Sequence, residues 1–146
     1  MTNYFECRVS YDKTLESGAI KQVTESYLVE AMSFTEAEAR ITQQMQPYMS
    51  GEFSVSAVNR RKYEDVLPGT DDREKFYHVK LVFITIDEKT AAEKRKPSYL
   101  LVQACSIADV LSQVGVLMSD SVTDYDIVSV SESRILDVFM YDNKAE

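Results

Sequence analysis

The chain has few of the residues on which most catalytic and metal sites depend. Its 146 residues include one histidine, two cysteines, four glycines and no tryptophan. Nucleophilic hydrolysis by a Ser/His or Cys/His pair needs a histidine as base, and His78 alternates with Lys80 and Val82 as an exposed or edge-strand residue would. Zinc needs three or four closely spaced ligands, which His78, Cys7 and Cys105 do not supply. The sequence predicts no cofactor and no metal.

Nucleotide-binding loops are missing as well. With four glycines the chain contains no Walker loop, no dinucleotide fingerprint and no EF-hand. Acidic pairs occur at Glu64-Asp65, Asp71-Asp72 and Asp87-Glu88, where strand ends and loops make solvation the default explanation. Asp124 and Asp126 suit a hard cation, but a strand-entry turn is the preferred interpretation. We therefore predict that the protein is not an enzyme and has no catalytic residues.

Long apolar runs are absent. No stretch approaches the roughly 18 residues of a membrane span, and the first residues lack the charged start and apolar run of a secretion signal. Cys7 and Cys105 fall on apolar strand faces without a CxxC motif, which predicts buried, reduced thiols. We expect a soluble, cytoplasmic protein with no membrane partner.

The net charge of −8 is evenly distributed. Residues 1–73 and residues 74–146 each carry 8 basic and 12 acidic side chains. Affinity for the phosphate backbone needs a basic field, so duplex nucleic acid is not an expected partner. An acidic inhibitor that occupies the basic site of a nucleic-acid enzyme is compatible with this charge, although acidity for solubility is the preferred explanation.

One pattern occurs twice along the chain. A shift of 73 residues places residues 30–34 on residues 103–107, and without a gap it also aligns Val55 with Val128, Ala57 with Val130, Arg61 with Arg134 and Glu64 with Asp137. Upstream, a shift of 75 aligns Cys7, Val9 and Tyr11 with Val82, Ile84 and Ile86. Patterns and caps that repeat together indicate an internal duplication.

The repeated unit is strand, strand, helix, strand. Residues 5–11 alternate apolar and polar side chains and residues 20–31 return as the second strand of a hairpin. Ser33 with Glu36 forms a capping box, in which the glutamate reaches back to the cap amide. The helix that follows has one apolar face, and a third strand begins at Phe53.

The second copy begins after the turn-rich linker 67–72. It comprises a long strand over residues 76–86, a return strand over 99–104, a Ser106–Asp109 cap and a final strand over 127–140 with a bend near 131–133. Its helix has a broader apolar stripe, formed by Ile107, Val110, Leu111, Val114, Leu117 and Met118. Deeper burial is the preferred explanation for that breadth, and a homo-oligomer through the second helix is the other.

These elements predict an α+β fold of about six principal antiparallel strands and two helices, related by a pseudo-twofold axis. We expect a single domain made of two repeats, residues 1–67 and 74–140, with residues 141–146 as a flexible tail. One continuous sheet and two facing sheets are both compatible with the sequence.

Two basic clusters are the candidate anion-binding residues: Arg60, Arg61 and Lys62 with Arg134, and Lys94, Arg95 and Lys96. If a pseudo-twofold axis brings Arg61 and Arg134 together, their guanidinium groups would clamp a phosphate or carboxylate. In the preferred alternative each arginine pairs with the acid three residues later, Glu64 or Asp137.

Three segments carry a resemblance to a known family. Residues 3–14 (NYFECRVSYDKT), 27–41 (YLVEAMSFTEAEARI) and 50–53 (SGEF) resemble DUF4494, a domain-of-unknown-function family encoded by gut Bacteroidetes and by their phages and mobile elements. The resemblance covers nearly the whole chain and is most specific in its first sixty residues. It implies a cytoplasmic, phage-associated protein, and it implies no catalytic or binding residue.

The leading functional hypothesis is a non-enzymatic binding or interaction protein that serves a phage or mobile element. The first alternative is a protein that sequesters a small anionic, nucleotide-like ligand through Arg61 and Arg134. The second is the acidic inhibitor of a nucleic-acid enzyme. Across these hypotheses, the expected partner of the chain is another protein or a small anion.

Overall fold

The structure is a computed structural model that describes residues 3–69 and 74–141. The chain divides into two compact units, unit 1 (residues 1–62 and 134–146) and unit 2 (residues 63–133). Part of the expected linker, residues 70–72, and residues 142–146 of the expected tail lie outside the described residues. None of the described helices is long and apolar enough to cross a membrane.

Eight strands and two α-helices occur in the described residues. In chain order they are β1 (Asn3–Thr14), β2 (Ile20–Ala31), α1 (Phe34–Met45), β3 (Phe53–Arg61), β4 (Asp65–Leu67), β5 (Lys75–Ile86), β6 (Glu93–Ala104), α2 (Ile107–Leu117), β7 (Asp124–Glu132) and β8 (Ile135–Phe139). A 3-10 turn, Gln46–Tyr48, follows α1.

Each unit contains one four-stranded sheet. The order is β3-β1-β2-β8 in unit 1 and β4-β6-β5-β7 in unit 2. β8 pairs with β2 and β4 pairs with β6 in parallel, whereas the other pairs are antiparallel. The α+β class is confirmed, but the sheets are mixed and hold eight strands rather than about six.

The single strand expected over residues 127–140 is wrong. β7 ends at Glu132 on the edge of the unit 2 sheet, and β8 begins at Ile135 beside β2 in unit 1. The bend expected near residues 131–133 is therefore the point where the chain leaves one sheet for the other. The sequence pattern does not distinguish a bend from such a crossing, because both interrupt the alternation.

Both predicted helix caps are confirmed. The Ser33 hydroxyl accepts the Glu36 N–H at 3.1 Å, and the Ser106 hydroxyl accepts the Asp109 N–H at 3.2 Å. Each acidic side chain reaches back to the amide of the residue before the cap rather than to the cap amide itself. Glu36 accepts from Met32 at 2.7 Å, and Asp109 accepts from Cys105 at 3.2 Å.

Each helix packs on one face of its own sheet. In unit 1, Ala37, Ile41 and Met45 of α1 join the buried side chains of β1 and β2. In unit 2, Val110 and Val114 of α2 join those of β5 and β6. The deeper burial expected for α2 is wrong, because Ile107, Leu111 and Leu117 of its apolar stripe stay exposed. Met118 is partly buried against the core. Self-association through this helix stays a prediction.

The two cysteines have different surroundings. Cys7 is fully buried in the unit 1 core, as predicted. Cys105 is exposed, so the expectation of a second buried thiol is wrong. The reason is local: β6 ends at Ala104, and Cys105 lies in the turn between that strand and the cap of α2.

Candidate functional site

Unit 1 has an open cleft at the end of its helix. A 12-residue helix such as α1 is about 18 Å long, whereas β1 and β2, also of 12 residues, each extend about 40 Å. The helix therefore covers only part of the sheet face. Beyond Met45, the uncovered part forms a cleft of about 960 Å³.

Tyr11, Glu25 and Tyr27 form the floor of this cleft. Side chains on one face of a strand recur every second residue, so Tyr11 follows the buried Cys7 and Val9, while Glu25 precedes Tyr27. In the β1–β2 ladder Val9 lies opposite Glu25. Tyr11 and Tyr27 consequently stand on either side of the carboxylate, within the diagonal reach of aromatic side chains.

Two phenols hold the Glu25 carboxylate. The Tyr27 hydroxyl donates to Oε1 at 2.8 Å, and the Tyr11 hydroxyl donates to Oε2 at 3.1 Å. Burial is the main cause that raises the pKa of both Tyr27 and Tyr11 above the usual value for tyrosine, and the charge and hydrogen bond of Glu25 raise it further. At neutral pH both phenols therefore keep their protons and act as hydrogen-bond donors.

The cleft is strongly acidic. Its lining contains four carboxylates and one ammonium group, which gives a net charge of −3 at neutral pH: Asp12, Glu25, Glu52 and Asp137 against Lys13. Asp137 arrives on β8, which places it beside Tyr27 in the parallel ladder. This carboxylate also raises the pKa of Tyr27. The negative charge of the lining therefore acts on Tyr27 at the floor of the cleft.

The walls of the cleft are aromatic and thioether side chains. Phe139, also from β8, stacks on Tyr27 with ring centroids 5.8 Å apart. Met45 and Met49 flank the end of α1, and the Tyr48 side chain is largely exposed beside them. The cleft thus combines carboxylates with flat apolar surfaces.

The predicted arginine pair does come together, but around a carboxylate. Arg61 Nε lies 2.9 Å from Oε1 of Glu6, and Arg134 Nε lies 3.5 Å from Oε2 of the same residue. In the part of the chain that the structure describes, the ion partner of both arginines is Glu6 rather than Glu64 or Asp137. The Glu6 side chain is only 8% exposed, against 38% for Arg61 and 64% for Arg134.

The flanking residues of that cluster play other roles. Arg60 lies over the ring of Phe5, with its guanidinium carbon 5.9 Å from the centroid. Lys62 follows β3 and is exposed. Two guanidinium groups sharing one carboxylate leave a local charge of +1, so anion binding at Arg61 and Arg134 stays a prediction.

The second basic cluster lies on β6 in unit 2. Lys94 contacts Asp87 at 3.5 Å, and Arg95 contacts both Glu93 at 3.0 Å and Asp126 at 3.3 Å. Lys96 borders a smaller cleft of about 370 Å³ at the end of α2. Asp126 thus forms an ion pair near the start of β7.

His78 lies on the central strand β5, so the expectation of an exposed or edge-strand histidine is wrong. It is half-buried between two tyrosine rings, with centroids 5.7 Å from Tyr63 and 5.5 Å from Tyr99. The Tyr63 hydroxyl lies 3.3 Å from Nδ1. This arrangement gives the ring a packing role in unit 2.

One group of ligand atoms has the spacing of a metal site. Oxygen and sulfur atoms of Glu74, Cys105 and Asp109 lie within 4.8 Å of one another. Asp109 is already engaged there, because its Oδ2 accepts from the Cys105 backbone and lies 3.4 Å from the Gln113 amide nitrogen. The Asp109 carboxylate therefore already has a structural role in the capping box at the start of α2.

Sequence reasoning missed the cleft of unit 1. One signal was present: Glu25 has the same parity on β2 as Tyr27, Val29 and Ala31, which face the core. A carboxylate on a core-facing position needs a local reason, and the two phenols supply it. The contribution of Asp137 and Phe139 had no local signal, because β8 is more than a hundred residues from β2.

Comparisons with known proteins support one assignment. A search of curated proteins gives no match. The family model described as a domain of unknown function matches residues 3–141, almost the whole chain. The residues of the cleft fall inside that match. The chain belongs to the DUF4494 family, a domain of unknown function.

Proposed function

We propose that this is a non-enzymatic binding protein that receives its ligand in the cleft of unit 1. The observation that carries the proposal is the cleft itself. Its volume of about 960 Å³ lies at the upper end of the range for ligand sites, roughly 300–1,000 Å³. Its lining combines aromatic walls with polar groups at the floor, and it is more polar than the lining of a usual ligand pocket.

The chemistry of the lining favours binding over catalysis. The described lining includes neither histidine nor cysteine. Glu25, the best-placed carboxylate, is held by two phenols, each of which occupies one of its oxygens. These two hydrogen bonds hold the carboxylate in one orientation and leave about two of its lone-pair positions for a ligand.

We also infer that the two units arose by duplication. Residues Tyr11 and Phe53 pair between strands of unit 1, and the residues 72 positions later, Phe83 and Tyr125, pair in unit 2. The register shifts after Arg8 and Lys80 are also 72 residues apart. The caps, and the ends of β2 and β6, are displaced by 73. The first strands thus correspond by 72 rather than by the 75 expected from apolar matching.

An anionic ligand is the second candidate. It is favoured by the convergence of Arg61 and Arg134, which leaves one positive charge in excess over Glu6. Under this alternative, inorganic phosphate raises the melting temperature, and added salt reduces the shift. An acidic inhibitor role rests on the net charge alone. An association with phages rests on the family resemblance, and a cytoplasmic location rests on that resemblance together with the cysteine usage and the first residues of the chain.

Glycines allow a sharp test of the cleft. Gly51 lines it, and a Cβ added there meets nothing within 4 Å. Gly51→Phe should therefore fill open space without disturbing the core. Gly115, on α2 in unit 2, is equally open and supplies the matched control, Gly115→Phe.

The experiment is a fragment screen by ¹H–¹⁵N NMR with cationic, anionic and neutral compounds. We expect hits whose shift changes cluster at Tyr11, Glu25 and Tyr27, disappear in Gly51→Phe and persist in Gly115→Phe. Melting temperatures of both variants establish that they remain folded. The proposal would be rejected if the hits bound the Gly51→Phe variant as well as the unmodified protein, or if the screen gave no hits at the cleft.

A further inference from the structure

We infer that the ligand of the unit 1 cleft carries an alkylammonium group, an inference that rests on the proposed function of this cleft. The charge is the first reason. Four carboxylates against Lys13 produce a negative field that repels anions and attracts cations. A concave, low-dielectric wall concentrates that field relative to an open surface.

The floor has unused capacity to accept hydrogen bonds. An ionised carboxylate offers about four lone-pair positions, and the phenols of Tyr11 and Tyr27 occupy two on Glu25. An ammonium group has three donors and no acceptor. It therefore complements the remaining positions on Glu25, whose orientation the two tyrosines already fix.

The aromatic walls select an organic cation over a metal ion. Hard metal ions need six or more oxygen ligands, whereas the rings of Tyr27 and Phe139 provide flat, polarisable surfaces. An alkyl chain packs on such surfaces, and its ammonium head is attracted to the negative face of an aromatic ring. The stacked pair of Tyr27 and Phe139 supplies a wall of this kind next to Glu25.

Unit 2 provides an internal comparison. Ser98 and Leu100 have the ladder positions in β6 that Glu25 and Tyr27 have in β2, opposite Leu81 and Val79. Both border the smaller cleft of about 370 Å³, where Phe83 replaces the phenol of Tyr11. The fold therefore does not require the phenol–carboxylate–phenol arrangement. Its presence in unit 1 alone indicates a ligand-specific role.

Three probes of equal chain length isolate the charge: 1-pentylammonium, pentanoate and 1-pentanol. NMR titration of the full chain should give saturable shift changes at Tyr11, Tyr27 and Phe139 with pentylammonium. We expect pentanol to bind at least tenfold more weakly and pentanoate not to bind. Added salt should weaken pentylammonium binding, because exposed charge interactions are screened.

A matched pair of variants tests the role of Glu25. Glu25→Gln keeps the shape of the side chain and removes its charge, so pentylammonium binding should weaken about tenfold or more. Glu88→Gln, in the exposed β5–β6 hairpin loop, changes the net charge equally and should leave binding unchanged. Equal losses in both variants would attribute the effect to net charge and overturn the inference.

The remaining outcomes separate the inference from the proposed function. Pentanoate or pentanol binding in the cleft as well as pentylammonium would overturn the cationic ligand and leave the binding function standing. Calcium chloride perturbing the same residues while pentylammonium does not would overturn it in favour of a metal site. If neither these probes nor the fragment library affected the cleft, the inference and the proposed function would both fall.

Discussion

The Tyr27 hydroxyl donates a 2.8 Å hydrogen bond to Oε1 of Glu25, two residues earlier on the same strand. The contact places a charged carboxylate beside a buried ring on the core-facing side of β2. A charged group at such a position needs hydrogen-bond donors, and Tyr11 supplies the second one. The floor of the cleft is thus a small polar network at the edge of the core.

This network should affect stability in alkali. Burial, then Glu25, raises the pKa of Tyr27 in the folded protein, while the unfolded chain loses the proton near the usual value of about 10. The protonated phenol therefore contributes stability that is complete below about pH 10 and is lost as the pH rises above it.

We expect Tyr27→Phe to reduce the loss of stability at alkaline pH. At pH 8 the variant should be about 1 kcal/mol less stable, because the substitution removes the hydrogen bond to Glu25. Urea denaturation at pH 8, 9, 10 and 11 measures both effects. Tyr48→Phe is the control, because the Tyr48 side chain is largely exposed. If the two variants lose stability with the same pH dependence, the linkage to Tyr27 is refuted.

Glu6 should couple its two arginines energetically. Removing either Arg61 or Arg134 leaves the other beside the carboxylate, whereas removing both leaves an 8% exposed carboxylate without its ion partners. We expect the Arg61→Ala/Arg134→Ala double variant to lose about 1 kcal/mol more than the sum of the single variants.

A double-mutant cycle by chemical denaturation measures this coupling. The exposed pair Lys75–Glu132 in unit 2 serves as a reference, since exposed pairs contribute about 0–1 kcal/mol. Additive losses at Arg61 and Arg134 would mean that Glu6 does not connect them. The same cycle bears on the anion alternative, because phosphate binding would require the guanidinium groups that Glu6 now holds.

What the sequence predicted was local. Ser33 and Ser106 were identifiable because a cap is defined by residues three apart, and the β1 strand because alternation needs only its own residues. Each of these two features is determined within a dozen residues, which is the range over which sequence patterns act.

What the sequence did not predict was the pairing of distant segments. β8 joins β2 in parallel, and with it Asp137 and Phe139 enter the cleft. Asp137 was expected to neutralise Arg134, because three residues separate them; that expectation applied a local rule to a strand whose neighbours are distant. The exposed stripe of α2 is a similar case, since its apolar width gave no information about which residues the sheet would cover.

The two helix caps should have similar energetic value. Each serine hydroxyl accepts one amide at the start of its helix, and without it that N–H has no side-chain partner. We expect Ser33→Ala and Ser106→Ala each to cost about 1 kcal/mol, and Ser→Asp at either position to cost much less. Denaturant midpoints that do not move in either alanine variant would remove the capping argument.

The two thiols should react very differently. Cys105 is exposed in the turn before α2, whereas Cys7 is fully buried and its pKa is raised to about 12 by burial, with smaller contributions from Glu6 and Glu38. Because the thiolate is the reactive form, Cys7 should resist modification in the native protein for reasons of both access and ionisation. We expect one equivalent of a disulfide reagent such as DTNB to react rapidly at pH 8, and a second only in denaturant.

The buried thiol of Cys7 should also affect stability in alkali. The folded pKa of Cys7 lies above that of the unfolded thiol, about 9, so its contribution to stability is complete below pH 9 and falls as the pH rises toward 12. Cys105→Ser should abolish the rapid reaction and keep the one seen only in denaturant, whereas Cys7→Ala should do the reverse. Rapid loss of two thiols in the native protein, with circular dichroism unchanged, would contradict the burial of Cys7 in the unit 1 core.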